Sequence, residues 1–112
     1  MSKLINANSL ELNMESQIQL MVNNNFRGRK PSLVIIVASD DKASQIYVNN
    51  KVKAGIKLGV DVEVITVYEQ STNETVKALI NSLNDNKAVD GIILQLPVYE
   101  HLDADMLINQ IS

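Results

Sequence analysis

Apolar residues follow two different patterns along the chain. Three largely apolar runs, at residues 33–38, 60–67 and 89–96, are rich in β-branched side chains and predict β-strands. Such runs are typical of strands covered on both faces, as in a parallel sheet. The run at 60–67 begins by alternating Val with Asp or Glu, which indicates a strand with one solvent-exposed face or a strand at the edge of the sheet.

The other segments repeat apolar residues every three or four positions, which predicts amphipathic helices. A first helix is predicted over residues 10–22. A second begins at a cap formed by Asp40 or Asp41 and ends near Leu58, with Gly59 as the residue after the C-cap.

The second helix should face the sheet through Val48, Val52 and Ile56, which are spaced four residues apart. Gly55 lies within this helix at a cost of about 1 kcal/mol relative to Ala, so we expect close packing against the sheet there.

Two further helices are predicted after the middle strand. Ser71 and Glu74 stand at capping-box spacing before the third helix, and Asp103 can cap a last helix over residues 102–111. The predicted order is α-β-α-β-α-β-α, with strand starts about every 28 residues, the length of a βαβ unit. The expected fold is therefore an α/β, three-layer αβα domain with a small, mostly parallel sheet.

Composition limits the number of domains, the classes of binding partner and the cellular location that are expected. The 112 residues fit one domain, with 46% hydrophobic and 21% charged residues. A net charge of −3 and the lack of a long basic stretch argue against a nucleic acid or an anionic membrane as partner. The chain has no cysteine, no apolar segment typical of a signal peptide and none long enough to span a bilayer, so the cytoplasm is the expected location.

The carboxyl ends of parallel strands are where ligands bind in open α/β sheets, and two features lie there. Ser44, Tyr47 and Lys51 are spaced three and four residues apart, so they should share one helix face, distinct from the valine stripe. An aromatic ring beside an amine can stack on a planar ligand and move a proton. Spacing alone favours the plainer alternative, in which Tyr47 is half-buried and Lys51 is solvated.

Gln95 is the second feature, because it ends an otherwise apolar strand. A buried amide must find hydrogen-bond partners, which can be a ligand, a lysine or a neighbouring loop. Taken alone, Gln95 is better explained as a structural residue bonded to a loop.

Other candidate groups carry less weight. The pair Asp40 and Asp41 could hold a divalent metal, as in receiver domains of two-component signalling, but a helix cap is the better explanation and no metal site is predicted. His101 is the only histidine and lacks a Ser/Asp arrangement, so loop packing is expected. The sequence has no Gly-x-Gly-x-x-Gly motif and no P-loop.

Two segments carry a family resemblance. Residues 40–54, Asp-Asp-Lys-Ala-Ser-Gln-Ile-Tyr-Val-Asn-Asn-Lys-Val-Lys-Ala, resemble the first signature of the bifunctional methylenetetrahydrofolate dehydrogenase/cyclohydrolase family. Residues 89–97, Val-Asp-Gly-Ile-Ile-Leu-Gln-Leu-Pro, resemble its second signature. Both occur in order and at a suitable distance, and the likeness covers nearly the whole chain.

The resemblance implies the folate-binding, catalytic N-terminal domain of an enzyme with two activities. The family oxidises 5,10-methylenetetrahydrofolate with NAD(P) and hydrolyses the methenyl product to 10-formyltetrahydrofolate. Lys51 would be the general acid/base of the hydrolysis, and Gln95 would help to hold its amine neutral and aimed. Tyr47 would be the third catalytic residue and would stack on the aromatic part of the folate. Ser44 would support the helix face that carries Tyr47 and Lys51.

The loop after the third strand forms part of the folate pocket in the family. By resemblance Leu96, Pro97 and Val98 would therefore contact the substrate. The family pattern Gln-Leu-Pro-Leu-Pro ends here in Val98-Tyr99, so Tyr99 is expected to narrow or reshape the pocket.

Further differences from the family pattern concern the first loop and the length. Ser39 and Lys42 replace a glycine and a proline, and neither the family's catalytic aspartate nor its nicotinamide-binding domain is present. The chain is therefore expected to be a fragment or a divergent stand-alone copy that binds no cofactor and is largely inactive alone. Family members are usually dimers, so a homodimer is also considered.

Two alternative functions remain open from the sequence. The Ser-Thr-Asn-Glu helix start followed by Val-Asp-Gly-Ile-Ile also resembles half of a periplasmic-type or repressor-type sugar-binding protein. That alternative does not explain Ser44, Tyr47, Lys51 or Gln95. The other alternative is a stand-alone folate-binding protein without catalysis.

Overall fold

The computed structural model describes residues 31–111, which contain three parallel strands and three helices. The helix predicted over residues 10–22 lies outside the described residues. The strands are β1 (Ser32–Val37), β2 (Asp61–Thr66) and β3 (Gly91–Gln95), and the helices are α1 (Lys42–Lys57), α2 (Asn73–Asp85) and α3 (Ala104–Gln110). The alternation of strands and helices predicted for this part of the chain is confirmed.

The sheet has the order β2-β1-β3, and both pairings are parallel. β1 lies in the centre, and residues Leu33 to Val37 are buried on both faces, as its continuous apolar run predicted. β2 lies at an edge of these three strands, and Asp61, Glu63 and Val64 are exposed. The alternating start of the middle run therefore belongs to the strand at the edge of the part of the sheet that the structure describes.

Helices cover both faces of the sheet, which confirms the three-layer αβα prediction. One core cluster lies between the sheet and α1 and contains Leu33, Ile35, Val37, Val48, Val60 and Ile93. The other lies on the α2 and α3 side and includes Val34, Ile36, Val76, Ile80, Ile92, Leu94 and Leu107. Successive residues of β1 and β3 thus alternate between two cores.

The sheet-facing side of α1 differs from the prediction. Ile56 is 67% exposed and Val52 is only partly buried, so the stripe of apolar residues spaced by four is wrong at its far end. The buried positions of α1 are Ser44, Val48, Lys51 and Gly55. Ser44 and Lys51 therefore share the buried face with Val48 instead of forming a separate face, because steps of three and four follow the helix more closely than steps of four.

Gly55 brings α1 close to the edge strand, as predicted. A Cβ atom at this position would lie 2.5 Å from Val62 Cγ2. The helix ends at Lys57 with Leu58 as its C-cap, and Gly59 follows with φ +80°, the left-handed conformation that suits glycine after a helix.

Local caps fix where the helices begin. The Asp41 carboxylate accepts a hydrogen bond from Ala43 N at 2.8 Å, and Asp103 Oδ1 accepts one from Met106 N at 3.1 Å, so both predicted caps are present. The predicted cap at Ser71 is wrong. Thr72 caps α2 instead, because its Oγ1 lies 3.2 Å from Thr75 N, in position to accept that hydrogen bond.

Candidate active site

The predicted site residues come from α1 and from the end of β3. Alternation along β3 places Ile93 in the core beside α1, and Gln95, two residues later, faces the same side of the sheet. Val37, the last residue of β1, pairs with Gln95. The polar end of β3 therefore meets the buried face of α1.

Lys51 and Gln95 form a side-chain pair at this junction. Lys51 is 9% exposed and Gln95 is 4% exposed, which rules out the alternative of a solvated surface lysine. Lys51 Nζ donates a hydrogen bond to Gln95 Oε1. The two residues are 44 positions apart in sequence, so the pair depends on the packing of α1 against β3.

The backbone carbonyl of Leu96 sets the orientation of the Gln95 amide. Gln95 Nε2 donates to Leu96 O at 3.0 Å, and Ser44 Oγ donates to the same oxygen at 3.4 Å. Because the amide nitrogen is held by this carbonyl, the amide oxygen is turned toward Lys51. The sequence predicted a lysine or a neighbouring loop as the partner of Gln95, and the amide bonds to both. That the loop partner is the carbonyl of Leu96 could not be predicted, because every residue carries such a backbone acceptor.

The other predicted site residues differ in their exposure and in the side of the sheet on which they lie. Tyr47 lies one turn before Lys51 on α1 and is 48% exposed, so one part of its ring is free to contact a ligand. Pro97 is exposed and follows Leu96 through a cis peptide bond. Val98 packs partly against the core on the α2 and α3 side of the sheet.

Tyr99, which departs from the family pattern, lies on the same side as Val98. Its ring packs against that core and stacks on His101, with ring centroids 5.9 Å apart. Burial raises the pKa of Tyr99 above its ordinary value, and the charges of Asp40 and Glu69 raise this pKa further. Tyr99, in the loop after β3, thus lies near charged residues of the loops after β1 and β2. His101 packs against Tyr99 and bonds to Ser71 O in these loops, as predicted.

The first loop does not suit the phosphates of a nicotinamide cofactor. Such cofactors bind where a glycine-rich loop exposes the N–H groups at a helix start, whereas here Asp41 accepts from Ala43 N and Asp40 lies beside it. A pyrophosphate at this position would meet two carboxylates, so no hydride-transfer step is assigned to these residues. Within residues 31–111, no group of three or more His, Asp or Glu side chains is arranged to hold a metal ion. None of the helices described there has the length and apolar character needed to cross a membrane.

Comparisons with known proteins place these features in a family context. A family model described as "Tetrahydrofolate dehydrogenase/cyclohydrolase, catalytic domain" matches residues 5–112. The bifunctional protein FolD of Vesicomyosocius okutanii is 35% identical over 109 residues, which make up 97% of this chain and 39% of that protein.

Solved structures agree with the sequence matches. The bifunctional enzyme FolD of Campylobacter jejuni, a methylenetetrahydrofolate dehydrogenase/cyclohydrolase, superposes with a TM-score of 0.77 at 30% identity, covering 97% of this chain and 39% of that one. The Trypanosoma brucei enzyme, crystallised with NADP and an inhibitor, gives a TM-score of 0.73 at 24% identity over 99% of this chain and 38% of that one. The chain thus spans about two-fifths of the length of these relatives.

Proposed function

Because this chain belongs to the tetrahydrofolate dehydrogenase/cyclohydrolase family, we propose that it binds a reduced folate beside Lys51 and Gln95 and supplies the proton-transfer group of cyclohydrolysis. The hydrogen bond from the buried Lys51 amine to Gln95, at the carboxyl end of a parallel strand, carries the proposal. Ligands bind at this end of open α/β sheets. The family membership predicted from the two signature segments is confirmed, and the matches give no support to the sugar-binding alternative.

The proposed chemistry is general acid/base catalysis by Lys51. Water adds to the carbon that bridges N5 and N10 of methenyltetrahydrofolate, and the Lys51 amine accepts the proton that the water loses. The carbon–N5 bond then breaks as this proton is passed to N5, and the hydroxyl of the adduct loses its own proton to solvent as it becomes the carbonyl, which leaves the formyl group on N10. A positioned acid/base group of this kind contributes roughly 10²- to 10⁴-fold to a rate.

Gln95 would hold the amine in place during both proton transfers. Its Oε1 accepts from Lys51 Nζ, and its own amide is fixed by Leu96 O. Tyr47, half exposed one turn earlier, would stack on the aromatic part of the folate, and Pro97 would add to the wall of the pocket.

The oxidation of methylenetetrahydrofolate would draw on a nicotinamide cofactor, which accepts the hydride when it is bound. Since the first loop does not suit the cofactor phosphates, we assign it no residue here and expect no hydride transfer by these 112 residues alone. We also propose a cytoplasmic location and, from the family resemblance, a homodimer.

Direct titration with a stable folate tests the binding half of the proposal. The 112-residue chain should bind 5-formyltetrahydrofolate in isothermal titration calorimetry. Tyr47→Ala should weaken binding about tenfold through lost stacking, whereas Tyr47→Phe should keep most of it. Absence of folate binding by the unmodified chain would refute the proposal.

Single-turnover hydrolysis of methenyltetrahydrofolate tests the role of Lys51. In a chain restored to the full length of its relatives, Lys51→Gln should lower the rate by about 100-fold while folate binding changes little. Lys53→Gln is the matched control, because Lys53 lies two positions further along α1 and is exposed. Equal rates for the two variants would show that Lys51 is not the proton carrier.

A further inference from the structure

A polar clamp joins the loop after β3 to the start of α2. Asn73, the first residue of α2, accepts a hydrogen bond from Asp103 N through Oδ1 at 2.7 Å and donates from Nδ2 to His101 O at 3.4 Å. His101 Nε2 lies 2.7 Å from Ser71 O, and since a carbonyl can only accept, the ring nitrogen donates. We call Asn73, His101 and the contacts they make the Asn73 clamp.

The clamp holds one end of the loop whose other end builds the candidate site. Leu102 N donates to Tyr99 O at 2.9 Å, and Tyr99 N donates to Ala38 O at 2.7 Å, so the loop is also tied to the end of β1. At its start, Leu96 O accepts from Gln95 Nε2. The exposed Pro97 lies between these fixed points.

We propose that Asn73 is a positioning residue for substrate binding: by fixing His101 and Asp103, it holds the Leu96–Pro97 segment in place beside Lys51. This inference rests on the proposed folate site and adds a residue that does not itself touch the substrate. An ordered loop binds more tightly than a loose one, because its ordering entropy is lost before the ligand arrives. Asn73 should therefore affect folate affinity more than the rate of the chemical step.

Asn73→Asp separates this role from simple stabilisation. The carboxylate keeps an acceptor for Asp103 N but cannot donate to His101 O. An acidic residue in the first turn of a helix is favourable, so overall stability should not fall through the helix itself. Glu74→Ala is the matched control, because Glu74 is the next residue of α2 and is exposed.

Amide hydrogen exchange and folate titration together decide the inference. In Asn73→Ala, the Tyr99 and Leu102 amides should exchange about tenfold faster and the Kd for 5-formyltetrahydrofolate should rise about tenfold, while the amides of β1 stay within about twofold, as does the hydrolysis kcat measured in a chain restored to full length. Asn73→Asp should fall between Asn73→Ala and the unmodified chain. Glu74→Ala should match the unmodified chain.

The failures can be told apart. Unchanged exchange at Tyr99 and Leu102 overturns the clamp, whatever the folate result. Exchange that rises equally in β1 also overturns it, since Asn73 would then only stabilise the fold. Faster loop exchange with an unchanged Kd overturns the link to substrate. Loss of folate binding already in the unmodified chain overturns the proposed function and, with it, this link, while the exchange result still decides whether Asn73 orders the loop.

Discussion

At the residue scale, the Lys51–Gln95 contact is a pair of polar side chains that are both buried. A lysine amine and a glutamine amide at this depth each lose hydration, which costs free energy unless they bond to one another or to nearby groups. Removing one member alone should therefore be more damaging than replacing both with apolar side chains.

Stability measurements can detect this coupling. Gln95→Leu should lower the free energy of unfolding by about 1–3 kcal/mol, because Lys51 loses its bond to Gln95 Oε1 in a buried position. The double variant Lys51→Met with Gln95→Leu should recover most of that loss in urea unfolding. Strictly additive losses would mean that the two side chains are not coupled.

A second prediction at the residue scale concerns Tyr99 and the dependence of stability on pH. Its pKa is raised in the folded chain, first by burial and then by Asp40 and Glu69, so the unfolded state gives up the phenol proton more readily. The stability associated with Tyr99 is thus complete below its ordinary pKa of 10.0 and is lost as the pH rises through the folded value. Tyr99→Phe should reduce the loss in urea midpoint between about pH 9 and about pH 11.

Tyr47, whose charge is not among those that raise the pKa of Tyr99, provides the control for that experiment. Tyr47→Phe should leave the alkaline loss of stability as it is in the unmodified chain. The assignment to Tyr99 is wrong if the two variants lose stability equally at high pH.

At the element scale, the approach of α1 to the edge strand is set by a single missing side chain. Gly55 allows the helix to lie against Val62, and this closeness accompanies the burial of Ser44 and Lys51 on the same side of α1. The helix could gain about 1 kcal/mol from alanine at this position, but the packing leaves no room for it.

Gly55→Ala should accordingly destabilise the protein despite its better helix propensity. The added methyl would meet Val62 Cγ2, and overpacking of this kind costs about 1–3 kcal/mol. Thermal or urea unfolding measures the loss, and Gly55→Ala combined with Val62→Ala should restore much of it by removing the clashing methyl. No rescue in the double variant would indicate that the cost arises elsewhere.

At the scale of the whole molecule, all three strand ends contribute loops to one edge of the sheet. The loops after β1, β2 and β3 bring Asp40, Glu69 and Tyr99 together, while α1 and the end of β3 supply Lys51 and Gln95. A ligand at this edge contacts segments that are distant in sequence, so its binding should stabilise the domain as a unit.

Thermal unfolding with ligands tests this expectation and separates the alternatives for function. 5-Formyltetrahydrofolate at about 100 times its Kd should add about 2.7 kcal/mol to the free energy of unfolding, seen as a higher Tm. A panel of sugars should leave the Tm unchanged. Stabilisation by sugars without stabilisation by folate would favour the sugar-binding alternative.

Much of the fold could be predicted because its signals are local. Continuous β-branched runs mark β1, β2 and β3, and caps at Asp41 and Asp103 are short-range hydrogen bonds readable from neighbouring residues. The predictions were wrong where tertiary contacts determine which residue is buried or which residue caps a helix. Ile56 fits an apolar stripe but lies outside the packed face, and Thr72 caps α2 in place of Ser71.

The strand runs, the helix periods, the family and the candidate residues Tyr47, Lys51 and Gln95 could all be predicted from the amino-acid sequence, because each depends on side-chain chemistry at fixed short spacing. The folded structure was needed to show that Lys51 is buried against Gln95, that Leu96 O orients the amide and that Asn73 bonds to Asp103 N at the far end of the loop. These contacts join residues 30 or 44 positions apart or use backbone atoms that every residue carries. They arise from the parallel register and the packing of helices on the sheet, which no local pattern encodes.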